Sequence, residues 1–557
     1  MERTLPLRKC RCAVAAALFA LCFSWLVFAA SRHADAQVRI PIAARETAVV
    51  EDNGALQALL AEGDQLERAG RWGEALNHYE GAQRKYPNRA EITQRLDRSR
   101  TRYDLARRYA DRSFVNSLQT LSLTQSLKLY DELLDKINTH HVDSPQWRTL
   151  VGRGTFALSQ ALSDDAFLQE NLRNATPQQI GAFRAELDRH LSWRPIRDAR
   201  EASDAVSLAA RLGAARLNVA PTAVVMEYIA GATGSLDNYS GYLTRDQLND
   251  VFSQIEGNFV GLGVELKTED DVLHVVNVIR GSPAEKAGLR ADDLIVAVAG
   301  HATADVTPDK AADMLKGPEG STVNVTVRSQ NSPARVLQVR RERVEVPSVE
   351  DVRLVDKEYG VGYLKINSFQ KTTSRDVDDA LWNLHRQGMK SLIIDVRGNP
   401  GGLLTASVEV ADKFVTDGVI VSTRGRSARE DFDYRAHRVG TWRVPLYVLI
   451  DGDSASASEI FAGAIHDHRR GPVIGERSYG KGSVQGIFPL AVGSTGVRLT
   501  TAKFYSPSGR AISKQGVVPT HVVHNVAKPV NGQVSAAEAD PILAAGIQAA
   551  RAQLSQR

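Results

Sequence analysis

Cysteine is nearly absent from this 557-residue chain, and its three copies lie close to the start. They are Cys10, Cys12 and Cys22. The rest of the chain has no thiol, which excludes a disulfide framework, a cysteine nucleophile and a thiolate metal site there. Long blocks of like charge are also missing, and the formal net charge is only +4. This charge pattern gives no reason to expect a nucleic-acid partner.

A long apolar run occurs at the start of the chain, from Cys12 to Ala30, after the basic segment "MERTLPLRKCR". The segment "ADAQ" (residues 34–37) then offers a small-x-small cleavage site. The run has the length at which signal peptides and membrane anchors overlap. We therefore expect residues 1–36 to be a signal peptide cut after Ala36, or alternatively an uncleaved inner-membrane anchor. Both alternatives place the remainder in the periplasm or cell envelope.

The length predicts several domains, because a single core stops growing at about 250–300 residues. Residues 50–112 have a helical pattern, and the stretch 63–88 resembles one tetratricopeptide (TPR) repeat. The matching positions are Gly70, Ala75, Tyr79, Ala82 and Pro87. A single repeat cannot bury its own face, since about three are needed. A helical hairpin that packs on its neighbour and a peptide-binding groove both remain as alternatives.

Residues 113–250 are predicted to form a helical domain with breaks near residues 143–147 and 192–195. His140 and His141 lie inside this domain without a third ligand at a convincing spacing. We interpret them as solvent-exposed or capping residues rather than metal ligands.

Residues 255–330 change to short strands and helices around a "GLGV" loop, residues 261–264. The predicted strands are 259–266, 273–279, 293–300 and 322–329, and the predicted helices are 282–288 and 307–315. This order of elements resembles a PDZ domain. Two glycines let successive N–H groups of such a loop converge on a carboxylate, while the adjoining strand edge accepts an extended peptide. The candidate peptide-binding residues are Gly261, Leu262, Gly263 and Val264.

From residue 340 to 525, apolar strands alternate with amphipathic helices. This alternation predicts a parallel-rich sheet with helices on its faces. The tail, residues 526–557, is predicted to end in a helix over "ADPILAAGIQAARAQL". The whole chain is thus a multidomain α+β protein.

The segment "DGDSASASEIF" places serines between a buried strand and a helix. At a helix start, free N–H groups stabilise negative charge, so an oxyanion beside Ser456 would meet the N–H of Ala457. The loop "DVRGNPGGLL" could supply a second donor, as acyl transfer requires. Ser456 and Glu459 also form an S-x-x-E capping box, and most such motifs only begin helices.

Lys481, within "GERSYGKGSVQ", admits two interpretations. A nucleotide-binding P-loop is rejected, because Gly482 stands where Ser or Thr is needed and no helix is predicted to begin there. The second interpretation is a neutral amine that acts as the base for Ser456. The uncharged Gln485 could orient this amine without restoring its proton. His466 and His468 are rival bases, but they lie on the helix that Ser456 begins.

Several motifs together resemble the carboxyl-terminal processing (tail-specific) peptidases. They are "GSLDNYSGYL", "DVRGNPGGLL", "SASASEI", "GKGSVQ", "LTTAKFYSPSGRAI" and "GVVPTHVV". The resemblance covers about residues 230–525 and implies an endopeptidase with a Ser–Lys dyad on a crotonase/ClpP-like core. It implies Ser456 as nucleophile and Lys481 as base with Gln485 beside it. The implied oxyanion donors are Gly402 and Ala457, and Glu459 takes the family's acidic position.

The resemblance implies protein or peptide substrates with exposed C-termini, captured and gated by the PDZ domain, and no cofactor or metal. Thr520 stands where the family has aspartate. The N-terminal helices lie outside the family core, so they could bind an adaptor, mediate self-association or only pack on the protease. An inert scaffold that binds envelope proteins is the alternative function.

Overall fold

The computed structural model describes residues 42–524 and 540–556, apart from 173, 270–271, 307–310, 312–313 and 330–331. The predicted leader, residues 1–36, lies outside the described residues. The first helix, α1 (Ile42–Arg68), belongs to a unit that ends at Gly70. All later elements belong to a second compact unit, Arg71–Arg557. No helix in the described part of the chain is both long and apolar enough to cross a membrane.

Helices dominate the first part of the second unit. They are α2 (Trp72–Lys85), α3 (Ala90–Ala110), α4 (Arg112–Thr120), α5 (Leu123–His140), α6 (Trp147–Ala161), α7 (Asp165–Asn171), α8 (Pro177–Ser192), α9 (Ala199–Leu217) and α10 (Pro221–Gly234). The breaks before α6 and α9 confirm the predicted ones. Helix α3 contributes Leu105 to the same apolar core as α4–α10. The last helix before the PDZ region is α11 (Arg245–Glu256), preceded by the short strand β1 (Gly241–Leu243).

The TPR-like positions Ala75, Tyr79 and Ala82 are buried on one face of α2, which packs against α3. At the other end of α3, Arg108 donates a 2.8 Å hydrogen bond to the fully buried Glu227 of α10. A buried ion pair of this kind fixes α3 on the helical region, because separating the partners would leave a carboxylate buried alone. Helix α3 is thus part of the body of the protein.

The PDZ region contains a sheet in the order β3-β4-β5-β7-β8, with β6 beside β5. Its elements are β3 (Val264–Glu269), β4 (Val272–Val278), α12 (Pro283–Ala287), β5 (Leu294–Val298), β6 (His301–Ala302), β7 (Thr322–Arg328) and β8 (Arg335–Arg340). The prediction that β7 is the last strand is wrong, since β8 follows and pairs with it. Most of the predicted helix 307–315 lies outside the described residues.

The predicted single strand over residues 259–266 is also wrong. It is divided into β2 (Asn258–Gly261), which pairs with β9 (Glu342–Glu345), and β3. The break falls at Leu262 and Gly263, whose carbonyls accept hydrogen bonds from Ala284 and Ile279. Gly263 has φ +82°, and a Cβ there would lie 2.3 Å from Ser282 Cβ. The turn therefore requires glycine at this position.

A six-stranded sheet forms the centre of the C-terminal part, in the order β10-β11-β12-β15-β16-β19. Its strands are β10 (Val349–Asp356), β11 (Val361–Ile366), β12 (Ser391–Asp395), β15 (Leu446–Ile450), β16 (Val473–Gly475) and β19 (His521–Val522). All neighbours except β10 and β11 pair in parallel. This confirms the predicted parallel-rich sheet.

Helices cover both faces of this sheet. They are α13 (Thr373–Arg386), α14 (Leu404–Asp412), α15 (Ala457–Asp467) and the C-terminal α16 (Pro541–Ser555). One apolar cluster joins alternate strand residues, such as Leu392 and Ile394, to α13–α15. A second joins the opposite face, including Ile393, to α16. Fully buried parallel strands must be apolar on both faces, which explains their continuous hydrophobic sequence.

A second, antiparallel sheet has the order β1-β18-β13-β14, with β17 also paired to β18. Its remaining strands are β13 (Val419–Gly425), β14 (Phe432–Arg435), β17 (Ser483–Pro489) and β18 (Gly496–Tyr505). Val497 and Leu499 of β18 are buried in the apolar core of the N-terminal helices. This sheet therefore connects the helical region to the C-terminal part of the chain.

Candidate active site

Two loops leave the same edge of the six-stranded sheet, because they follow the parallel neighbours β12 and β15. Residues 396–403 follow β12, and residues 451–456 lead from β15 into α15. The backbone carbonyl of Asn399 joins the loops, since it accepts hydrogen bonds from Ala455 N–H and the Ser458 hydroxyl, both at 3.0 Å. The loops thus form one connected structure.

The serines of "SASAS" differ in what their hydroxyl groups contact. Ser454 donates to the Val396 carbonyl at 2.8 Å, and Ser458 donates to Asn399; both side chains are fully buried. Ser456 is only partly buried, and its side chain forms a capping box with Glu459 at the start of α15. Its backbone has φ +56° and ψ −111°, a strained conformation for a residue with a side chain. Ser454 and Ser458 donate their hydroxyl protons to carbonyls, whereas the Ser456 hydroxyl donates to no acceptor within the described residues.

Gly401 and Gly402 bring the first loop against Ser456. A Cβ at Gly401 would lie 2.8 Å from Ser456 Cβ, and Gly401 has φ +111°. Gly402 is bridged to Phe369, and a Cβ there would collide with the Phe369 carbonyl at 2.1 Å. Neither Gly402 N–H nor Ala457 N–H donates to an acceptor within the described residues. Both are therefore available to a negative charge that forms beside Ser456.

Glu459, in the first turn of α15, joins the serine segment to the lysine segment. Its Oε2 accepts hydrogen bonds from the backbone N–H groups of Ser456 and Lys481, each at 2.8 Å. Its Oε1 accepts from the Ser478 hydroxyl at 2.6 Å and from Gly480 N–H at 2.7 Å. The backbone nitrogens of Ser456 and Lys481 consequently lie on one carboxylate oxygen. Burial raises the pKa of Glu459 against the opposing effect of these four donors.

The Lys481 side chain is partly buried, and its Nζ lies 5.0 Å from the centroid of the Tyr239 ring. No hydrogen bond or ion pair holds Nζ within the described residues. Burial lowers the pKa of Lys481, the positive charge of Arg498 lowers it further, and the charge of Glu459 opposes both. The neutral form of the Lys481 amine is therefore more favoured at this site than it would be in water.

Gln485 lies on β17, and its amide nitrogen donates to Ser483 Oγ at 2.9 Å and to the Ser483 carbonyl at 3.2 Å. The structure thus fixes the Gln485 side chain through Ser483. It shows no hydrogen bond between Gln485 and Lys481 in the described part of the chain.

Two segments of the chain match known protein families. Residues 360–523 match the model of peptidase family S41, and residues 274–329 match a PDZ domain model. The carboxy-terminal-processing protease of Bartonella bacilliformis is 38% identical over 303 residues, which cover 53% of this chain and 68% of the relative. A carboxyl-terminal-processing protease of Picosynechococcus is 34% identical over 309 residues, covering 55% of this chain and 73% of the relative.

The chain belongs to peptidase family S41. It is a serine protease with a PDZ domain, not an inert scaffold, and its substrates are proteins or peptides. Among solved structures, a photosystem II D1 C-terminal processing protease aligns over 72% of this chain and 93% of its own, with 25% identity and a TM-score of 0.37.

In this S41 peptidase, the structure around Lys481 and Ser456 disfavours both the P-loop and the histidine bases. A strand, β17, follows the lysine, and not the helix that a P-loop needs. His466 Nδ1 bonds to Asp467 at 2.9 Å, and His468 Nε2 bonds to the Val419 carbonyl at 2.7 Å. Both rival histidines are therefore engaged elsewhere.

The PDZ loop of this peptidase places its glycine turn beside a strand that is at the edge of the sheet within the described residues. Strand β3, which begins at Val264, lies at one end of the PDZ sheet order. The Leu262 side chain is buried in the apolar core of the PDZ region and so anchors the loop to that core. An edge strand beside a glycine turn is the arrangement that accepts an added peptide strand.

Sequence reasoning missed Tyr239, Arg498 and Ser478, which contact or influence the lysine side of this S41 site. Tyr239 lies in the "GSLDNYSGYL" motif, but nothing local relates it to Lys481. His141 was also misjudged in part. It is the C-cap residue of α5, yet only 2% of its surface is exposed, and its Nε2 bonds to Asp237 at 3.1 Å.

Proposed function

We propose that this S41 peptidase cleaves peptide bonds near the C-termini of protein substrates, with Ser456 as nucleophile and Lys481 as general base. The observation that supports it most strongly is the shared Glu459 carboxylate, which accepts both the Ser456 and the Lys481 backbone N–H groups. The relatives' printed name, carboxy-terminal-processing protease, agrees with this choice of substrate end.

In the proposed reaction, the Ser456 hydroxyl oxygen attacks the scissile carbonyl carbon while neutral Lys481 takes the hydroxyl proton. The negative charge on the former carbonyl oxygen is stabilised by Gly402 N–H and Ala457 N–H. The lysine ammonium then protonates the leaving amine, and the carbon–nitrogen bond breaks. Water, deprotonated by Lys481, hydrolyses the acyl-enzyme and restores Ser456.

This scheme requires a lysine that is neutral near pH 7. An ordinary lysine has a pKa of about 10.4, so only about one molecule in 10³ is neutral there. Lowering the pKa to about 7–8 costs about 4 kcal/mol, which burial must supply. Partial burial of Lys481 and the nearby Arg498 charge act in this direction. The amide nitrogen of Gln485 donates to Ser483, and we propose that the amide oxygen of the same side chain orients the Lys481 amine.

We propose that the PDZ domain captures the substrate C-terminus and gates access to the site. The N–H groups of Gly261–Val264 would receive the carboxylate, and β3 would pair with the residues before it. The two-stranded β2–β9 ribbon connects this domain to the rest of the chain.

We also propose domain boundaries that divide the chain into residues 50–112, 113–250, 255–330, 340–525 and 526–557. We propose that the enzyme is exported to the periplasm or cell envelope through residues 1–36, as a cleaved signal or a membrane tether. The N-terminal helices, residues 50–112, would bind an adaptor or a second copy of the chain. Mass spectrometry of the mature N-terminus distinguishes cleavage from tethering.

The test of the dyad uses an unstructured substrate with an apolar C-terminal tail. Ser456→Ala and Lys481→Ala should each lower kcat/KM by at least about 10³-fold, because each removes half of a unit that acts together. Lys481→Arg should also be inactive, since a guanidinium group stays charged. The control is Lys503→Ala, an exposed lysine opposite Ser483 on β18, which should retain activity. Undiminished cleavage by Ser456→Ala or Lys481→Ala removes the proposed dyad.

A further inference from the structure

Lys481 contacts Tyr239, a residue that lies outside the C-terminal part of the chain to which both Ser456 and Lys481 belong. Tyr239 lies in the turn 237–240, which connects α10 of the helical region to β1. The Tyr239 ring is partly buried, and its centroid lies 5.0 Å from Lys481 Nζ. At this distance the ammonium form interacts with the face of the aromatic ring.

The turn that carries Tyr239 is built around one carboxylate. Asp237 accepts hydrogen bonds from Tyr239 N–H at 2.7 Å, Ser240 N–H at 2.8 Å, the Ser240 hydroxyl at 2.9 Å and His141 Nε2 at 3.1 Å. Burial raises the pKa of Asp237, but these bonds outweigh it and hold the pKa well below the usual range. Four donors on one carboxylate leave the Tyr239 backbone little freedom.

The same turn is attached to the strand that supports the lysine segment. The Tyr239 carbonyl accepts a 2.8 Å hydrogen bond from Arg498 Nε, and Ser240 Oγ accepts one from Thr500 N–H at 3.1 Å. Strand β1, next in the chain, pairs with β18, and so does β17, which follows Lys481. Both sides of the contact are therefore fixed to β18.

An aromatic ring suits both protonation states that a lysine base passes through. Its bulk keeps water from the neutral amine, which lowers the pKa. Its π face also stabilises the ammonium that forms when the serine proton is taken, which by itself would raise the pKa. Burial has the larger effect on Lys481, so its pKa is lowered on balance. Two charged groups also act on the pKa of Lys481. The positive charge of Arg498 lowers this pKa, and the negative charge of Glu459 raises it. Tyr479 lies close to the Tyr239 ring.

We propose that Tyr239 is a positioning residue for Lys481, and that the helical region thereby completes the active site of the protease. The inference rests on the proposed Ser–Lys function. The helical region is then more than a packing partner, because it holds the ring that shields the base.

The test compares Tyr239→Ala, Tyr239→Phe and the neighbouring control Asn238→Ala in the full chain. Tyr239→Ala should admit water to the amine, so the acid limb of the pH profile of kcat/KM should move up by about one pH unit. At neutral pH, kcat/KM should fall about tenfold, because the neutral fraction of Lys481 falls by that factor. Tyr239→Phe keeps the ring and should match the wild type, as should the exposed Asn238→Ala.

A direct measurement separates this inference from the dyad itself. In a Ser456→Ala background, the pH dependence of Lys481 acetylation by acetic anhydride reports the lysine pKa through peptide mass spectrometry. The additional Tyr239→Ala change should move that titration upward. Where Tyr239→Ala does not fold, Tyr239→Thr must show the same direction. An unchanged titration and pH profile in a folded variant overturn the role of Tyr239, whereas an active Lys481→Ala variant overturns the dyad.

Discussion

The serine side and the lysine side of the site are built in different ways. Ser456 lies in a loop between a parallel strand and a helix, held by buried hydroxyl and carbonyl groups of its own sheet edge. Lys481 lies before a strand of the antiparallel sheet, and its Nζ lies 5.0 Å from the centroid of the Tyr239 ring, which belongs to the turn after the helical region. The serine side is built from two loops at one sheet edge, while the lysine side depends on three separate parts of the chain.

This difference shows where each half of the chemistry originates. A nucleophile needs an accessible hydroxyl and nearby N–H donors, which the two loops after neighbouring parallel strands supply together. A neutral lysine needs exclusion of water, which no short segment can supply because it requires cover from several directions. Glu459 is the residue that belongs to both halves.

Outside the dyad itself, the largest effect should come from breaking the connection at Glu459. Glu459→Ala removes the acceptor of four donors, including the Ser456 and Lys481 N–H groups. We expect kcat/KM to fall by at least about 10²-fold and the free energy of unfolding to fall by about 3 kcal/mol or more, since each buried donor left without a partner costs about 1–3 kcal/mol. Kinetics and urea unfolding measure the two losses. Wild-type kinetics in this variant would contradict the role of the carboxylate as the link between the halves.

A smaller effect should follow from adding charge to the lysine side alone. Gln485→Glu places a carboxylate near Lys481, which favours the ammonium form and raises its pKa. Activity requires the neutral amine, so it rises with pH through this pKa, and the acid limb should move up by about one pH unit. Gln485→Ala, as the uncharged control, should lower kcat without moving the limb. If both variants keep the wild-type profile, Gln485 does not act on the lysine.

The smallest effect on activity should come from removing the Ser454 hydroxyl, which supports the loop before Ser456. Ser454→Ala leaves the buried Val396 carbonyl without its 2.8 Å donor, which should cost about 1–3 kcal/mol of stability. Because Ser454 does not face the reaction, kcat/KM should stay within about threefold of the wild type, in contrast to the loss of at least about 10³-fold that we expect for Ser456→Ala. Urea unfolding and kinetics of Ser454→Ala test this prediction. A large loss of activity with wild-type stability would contradict the assignment of Ser456, and not Ser454, as the nucleophile.

Most secondary structure could be predicted because it follows from local pattern. The buried strands β11, β12 and β15 were readable as apolar runs, and the helices after them as amphipathic stretches. The error at Leu262–Gly263 has a tertiary cause, since the strand alternation continues through a turn fixed by Ala284 and Ile279. His141 was misjudged for a similar reason, because its partner Asp237 lies in another element.

The sequence by itself determined the family, the serine and lysine candidates and the order of elements, because these are carried by contiguous motifs. Only the tertiary structure decided that the hydroxyls of Ser454 and Ser458 donate to carbonyls. It also decided that Glu459 accepts hydrogen bonds from both the serine and the lysine segments, and that the Tyr239 ring lies beside the Lys481 amine. Contacts between distant segments depend on how sheets and helices pack in space. Spacing along a chain does not record them.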